Sequence, residues 1–183
     1  MSLFTSNRER LLWFCVLAVM VAIYSTLGLA GRLAEVLRER DLVEALFAFG
    51  FLLVLVTILG SAMKRRPGRR EIWVTIGVTA VYGMLLLRVF LSPQERTHLI
   101  EYGVVAVLIY HALIERRRNG RNVPTPALLA VLLTVLLGWL DEGIQAFLPN
   151  RTYDVRDIAF NVLAGLMAVV ASQALAWARR RRG

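Results

Sequence analysis

The chain has 183 residues, 57% of them hydrophobic and 19% charged, with a mean hydropathy of +0.59. That is too apolar for an ordinary soluble domain of this size and too rich in Leu, Val and Ile for a disordered one. The single cysteine, Cys15, excludes a disulfide-built secreted module. A net charge of +9 would suit a nucleic-acid binder, but the charges fall in short clusters between apolar runs, the pattern of a membrane protein.

Six runs are long and apolar enough to read as spanning helices: 11–30, 45–63, 72–91, 99–114, 127–148 and 158–177. Lipid offers no hydrogen bonds to a bare backbone, so each run is expected to be helical. The first also has the outline of a signal peptide, with Arg8 and Arg10 ahead of it. Its apolar stretch exceeds the ~7–15 residues of a signal core, and a retained helix is expected. The following stretch, 31–44, places Leu33, Val36, Leu37 and Arg40 at helical spacing, as in a short interfacial helix. Pro124 and Pro126 mark the start of the fifth run, where a missing N–H does little harm.

The connections set an orientation. The segment before the first run, those after the second and fourth, and the tail carry a net +12; all other charges sum to −3. Basic clusters stay on the cytoplasmic side. The sequence therefore predicts an all-α, polytopic transmembrane bundle of six spans, with both termini cytoplasmic and one domain over 1–183. The arginine clusters read as topology determinants in contact with anionic head groups, and no nucleic-acid partner is expected.

On the opposite, outer side, polar residues gather in 92–102 and 141–161. Ionisable groups near membrane depth are costly and usually face a bundle interior or a wet cavity. His98, Glu101 and Tyr102 stand at i, i+3 and i+4 on one helix face. Asp141 and Gln145 are i and i+4, with Glu142 beside them; Asp157 and Asn161 repeat the spacing on the last helix. Arg151, Asp154 and Arg156 lie in or beside the joining loop. Arginines suit a phosphate- or carboxylate-bearing substrate, and His98 with a neighbouring Glu can carry a proton. Each piece also has a structural reading. Asp157 can cap its helix, Arg151 and Arg156 can neutralise Asp141, Glu142 and Asp154, and Gln145 and Asn161 can bond across helices. No pair of histidines shows metal-ligand spacing, so no metal site is predicted. No G-x-S-x-G, P-loop or H-E-x-x-H motif is present.

The two stretches resemble segments of the VanZ-like family of bacterial membrane proteins. One family segment, of the type H-hydrophobic-x-E-Y, corresponds to His98, Leu99, Ile100, Glu101 and Tyr102. The other, of the type D-E-x-x-Q-x-F-x-P-x-R, then D-x-x-D, then N, corresponds to Asp141, Glu142, Gln145, Phe147, Pro149, Arg151, Asp154, Asp157 and Asn161. Asn150 stands where a glycine is common, and the first three runs carry no family motif. The family takes its name from a protein linked to resistance to the glycopeptide teicoplanin. The resemblance implies an integral cell-envelope protein, multi-pass in the bacterial cytoplasmic (inner) membrane, and names no reaction and no cofactor.

The expected function is binding or modification of an anionic lipid or lipid-linked cell-wall precursor at an outward-facing site. In that reading His98, Glu101, Asp141 and Glu142 form the reactive group. Tyr102, Gln145, Arg151, Asp154, Arg156, Asp157 and Asn161 bind substrate. One rival is a non-catalytic accessory protein whose polar network only fixes helix packing. Another, a transporter or flippase, lacks an inverted repeat and has its polar groups at one face.

Overall fold

The computed structural model describes residues 3–39, 68–88, 93–147 and 155–180, with the backbone alone for 26–39, 85–88 and 93–98. These residues form five helices: α1 (Asn7–Glu39), α2 (Arg69–Arg88), α3 (Pro93–Arg118), α4 (Pro126–Gln145) and α5 (Val155–Arg180).

Local chemistry sets the helix ends. Ser6 caps α1: its Oγ accepts the Glu9 N–H at 3.0 Å, satisfying one of the donors a helix start leaves open. The Glu9 carboxylate turns back and accepts from the Thr5 N–H and hydroxyl, a variant of the capping box. Helix α3 ends in a Schellman turn. Gly120 takes the left-handed conformation (φ 84); its N–H reaches the Arg117 carbonyl and the Arg121 N–H reaches that of Arg116. Helix α4 starts with Pro126 after Thr125, which sits at φ 41 and makes no side-chain cap. Positive φ is unusual for a β-branched residue, so this joint is strained.

Helix α3 is the centre of the bundle. It packs on α1, α4 and α5, while α2 packs on α5. Tyr102, Val105, Ala106, Ile109 and Ala112 on α3 are fully enclosed. From α1, Val16, Met20 and Ile23 meet them at helical spacing, and from α5 the small residues Ala164 and Ala168. Small residues let helix backbones approach closely. At Gly165 an added Cβ would already be 3.6 Å from the Thr134 side chain.

The outward faces are apolar. Leu11, Phe14, Leu17 and Val21 on α1 are more than half exposed, as are Trp73, Ile76, Val81 and Met84 on α2 and Leu128, Leu136, Trp139 and Leu140 on α4. The enclosed side chains, by contrast, include Glu9, Thr134, Asp141, Glu142, Gln145 and Asn161. Polar hydroxyls within the helices are satisfied locally: Thr134 and Ser172 each donate to the carbonyl four residues back, at 2.8 Å.

The all-α class stands, but the arrangement of six spans is corrected. Among the described residues, two helices, α4 and α5, are long and apolar enough to cross a membrane by length and composition. The reasons lie in the individual helices. α3 takes in Glu95 and Arg96 at its start and Glu115 to Arg118 at its end, and it is central, so it needs no continuous apolar face. α1 does not stop near residue 30; it runs unbroken to Glu39 through the charged stretch expected as a separate interfacial helix. At ~1.5 Å per residue that is about 50 Å, longer than a ~30 Å hydrocarbon core. The run 45–63 lies outside the described residues.

Candidate polar site

Three helices place polar side chains at one level. From α1, the Tyr24 hydroxyl donates to the Leu137 carbonyl at 3.2 Å. From α3, the Tyr102 hydroxyl makes a longer contact, 3.5 Å, with the same carbonyl and stands beside the Asp141 carboxylate. A phenol from each of two helices thus meets α4 one turn before its acidic pair. Asp141, Glu142 and Gln145 are all enclosed, and Gln145 donates to Glu142 at 3.4 Å along the same helix.

Helix α5 closes the layer with Asn161. Its amide lies against Gly138, where a Cβ would come within 2.5 Å of Nδ2. Gly138 is there because no side chain fits. Asn161 is fully enclosed, and neither its Oδ1 nor its Nδ2 has a hydrogen-bond partner among the described residues. An unpaired buried amide costs roughly 1–3 kcal/mol. One turn earlier, Asp157 is the third residue of α5, in the first turn rather than at the cap. A carboxylate there complements the helix dipole, and its Oδ1 is enclosed.

Depth follows from helix rise. Tyr24 to Glu9 along α1, Tyr102 to Arg116 along α3 and Asn161 to Arg179 along α5 span about 21–27 Å at ~1.5 Å per residue. The three helices agree, so the polar layer stands well away from the end at which Glu9, Arg116 and Arg179 are gathered.

The residues singled out from the sequence divide as follows. Tyr102, Asp141, Glu142, Gln145 and Asn161 come together as enclosed groups. Glu101, adjacent on α3, is half-buried and engaged. In the first turn of α5, Arg156 is exposed and Asp157 half-buried, and each is engaged in an interaction. His98 lies on the α3 backbone, but its side chain lies outside the described residues, as do Arg151 and Asp154 entirely. Two expectations change. Among the described residues, Gln145 bonds within its own helix and Asn161 bonds to nothing, so neither supplies a hydrogen bond between helices there.

A second polar cluster at the far end was missed as a unit. Glu9, fully enclosed, accepts from the Arg116 guanidinium at 3.0 Å. Ser6 donates to Glu115 at 3.3 Å, with Arg8 at 3.9 Å from the same carboxylate. Arg179 pairs with Glu71 at 2.7 Å. Burial alone would raise the Glu9 carboxyl, but the Thr5 hydroxyl and N–H and the Arg116 guanidinium outweigh it and hold the group below its ordinary value. The S-x-x-E spacing of Ser6 and Glu9 was a legible signal for the cap. The pairing with Arg116 was not, because it depends on how α1 and α3 align.

Comparison with family models, curated proteins and solved structures finds no match to this chain.

Proposed function

We propose that this protein is a VanZ-like integral membrane protein of the bacterial cell envelope, and that the layer formed by α3, α4 and α5 binds an anionic lipid or lipid-linked cell-wall precursor. The observation that carries this reading is Asn161: a fully enclosed amide with no partner among the described residues, set beside an enclosed acidic pair. Packing alone gives no reason to keep an amide there, whereas a site that meets a polar ligand group does. The apolar outer faces around the enclosed polar side chains support membrane embedding, since a soluble bundle would carry the opposite pattern. Helices α4 and α5 supply spans of adequate length.

In this reading the protein resides in the cytoplasmic membrane as a multi-pass protein, with the layer toward the extracytoplasmic side. Arg151 and Arg156 hold the anionic group, and Asp141, Glu142, Gln145 and Asn161 orient the rest of the ligand. His98 with Glu101 handles a proton where the ligand is modified. A link to glycopeptide resistance belongs to the same proposal.

The test is retention of a lipid-linked pyrophosphate precursor by the purified protein in mild detergent, read by native mass spectrometry. The intact protein should retain it, and the double variant Arg151→Gln with Arg156→Gln should retain roughly tenfold less or worse, the worth of about one lost charge-assisted contact. Equal retention by both would sink the assignment of the arginines. No retention by the intact protein would remove the ligand class altogether.

The accessory reading has one observation of its own: the fit of Asn161 against Gly138 fixes how closely α4 and α5 approach. It predicts that changes in the layer unfold the protein rather than leave it folded and unable to bind.

A further inference from the structure

The end of the bundle opposite the polar layer gathers far more positive charge than the fold uses. Helices α1, α2 and α4 begin there, and α3 and α5 end there, held together by the Glu9–Arg116 and Glu71–Arg179 pairs. Glu9, Glu115 and Glu71 each already have an arginine partner. Arg10, Arg69, Arg70, Arg117, Arg118 and Arg180 are exposed and make no ion pair among the described residues. Arg8, Arg118 and Arg179, from three different helices, all lie within electrostatic reach of the exposed His111, so the charges form one collar rather than separate patches.

Helix energetics do not account for this collar. Arginines in the last turns of α3 and α5 complement the helix dipole. Arg8 and Arg10 in the first turn of α1, and Arg69 and Arg70 in that of α2, oppose it. Arg10, Arg69 and Arg70 cost their helices something locally and meet no acid among the described residues, which calls for an external anion.

Aromatic side chains show where that anion lies. Trp73 follows Arg69 and Arg70 on α2, Trp177 precedes Arg179 and Arg180 on α5, and Phe14 follows Arg10 on α1. All three are about half exposed or more. Exposed aromatic rings directly beside a basic rim, with apolar faces continuing away from it, mark the boundary between hydrocarbon and head groups. A nucleic acid or acidic protein would need the charge but not the aromatic ring beneath it.

We infer that this arginine collar is a binding surface for anionic phospholipid head groups, separate from the precursor site proposed above and at the other end of the bundle. Arg10, Arg69, Arg70, Arg117, Arg118 and Arg180 contact head-group phosphates, while Trp73, Trp177 and Phe14 seat the collar at head-group level. The partner is the lipid of one leaflet.

The experiment measures binding of phosphatidylglycerol and of phosphatidylcholine to the full-length protein in mild detergent by native mass spectrometry. The triple variant Arg117→Gln, Arg118→Gln, Arg180→Gln is compared with the same three positions changed to Lys. These three arginines pair with no acid among the described residues, and circular dichroism checks that both variants keep their helices. An arginine near an anionic surface contributes roughly fivefold in affinity. The Gln variant should therefore bind phosphatidylglycerol at least about tenfold more weakly, and the Lys variant should recover most of that loss. The collar Gln variant should retain the lipid-linked pyrophosphate precursor as the intact protein does, so a failure of the precursor site and a failure of the collar are told apart. Unchanged binding by the folded Gln variant would overturn the inference. So would equal binding of the two lipids, or binding of a short RNA in place of phosphatidylglycerol.

Discussion

The two polar regions of this bundle solve the same electrostatic problem in opposite ways. At the collar, each of the three carboxylates among the described residues meets an arginine at 2.7–3.9 Å, and most of the surrounding charge is exposed. At the inner layer, two carboxylates and two amides are enclosed on all sides. One of those amides has no hydrogen-bond partner among the described residues. Water and head groups stabilise charge at a bundle end, whereas a polar group at hydrocarbon depth must be satisfied from within or by a ligand. In the proposed reading, the collar is architecture and interface and the layer is a site.

The sharpest way to break the comparison is at the seam between α4 and α5. Gly138→Leu would drive a side chain into Asn161, whose Cβ is already only 2.9 Å from an ideal Cβ at position 138. Overpacking of this kind costs about 3 kcal/mol, so the thermal midpoint in detergent should fall sharply. The double change Gly138→Ala with Asn161→Gly, which removes all three of the atoms in the way, should lie nearer wild type than Gly138→Ala alone. If the double change is no better, the two residues are not in contact.

The collar is tested next. Glu9→Ala removes the capping carboxylate and leaves the Arg116 guanidinium without its 3.0 Å partner, at about 2 kcal/mol. Denaturation in detergent should show that loss. Acid acts through the same group. Because the folded carboxyl lies below its ordinary value, its stabilisation is complete above that ordinary value and is lost as pH falls through the folded one. Acidification should therefore lower the melting temperature of the wild type more than that of Glu9→Gln. Equal sensitivity would show that the enclosed carboxylate is not the acid-labile element.

A smaller effect is expected where the layer meets α1. Tyr24→Phe deletes the 3.2 Å bond to the Leu137 carbonyl and should cost roughly 0.5–1 kcal/mol, the usual worth of one interhelical bond in a membrane protein. Thermal unfolding would register it as a shift of a few degrees at most. A large loss would mean that the layer is the main clamp of the bundle, as the accessory reading requires.

The pattern of what was legible follows range. Helical class and approximate helix positions came through because runs such as 127–148 and 158–177 are apolar enough to exclude anything else. Helix ends did not: hydropathy is blind to Pro93–His98 and Glu115–Arg118, which are polar yet helical, and to the continuation of α1 through Glu39. The approach of α3 to α4 and α5 could be argued from the cost of isolated charges, and Tyr102 does reach Leu137 and Asp141. The match of Gly138 to Asn161 was beyond reach, since nothing local to either residue names the other. So was the pairing of Glu9 with Arg116, although the cap that positions Glu9 was written in Ser6-x-x-Glu9.

Asn161→Ala separates site from scaffold most directly. The change leaves a small void, but it also removes a buried amide whose atoms have no partner among the described residues, and the two terms offset. The variant should melt within about 1 kcal/mol of wild type while losing retention of the lipid-linked pyrophosphate precursor in native mass spectrometry. A variant that instead melts several degrees lower yet retains the precursor as well as wild type would show that Asn161 serves packing and that the inner layer is not a ligand site.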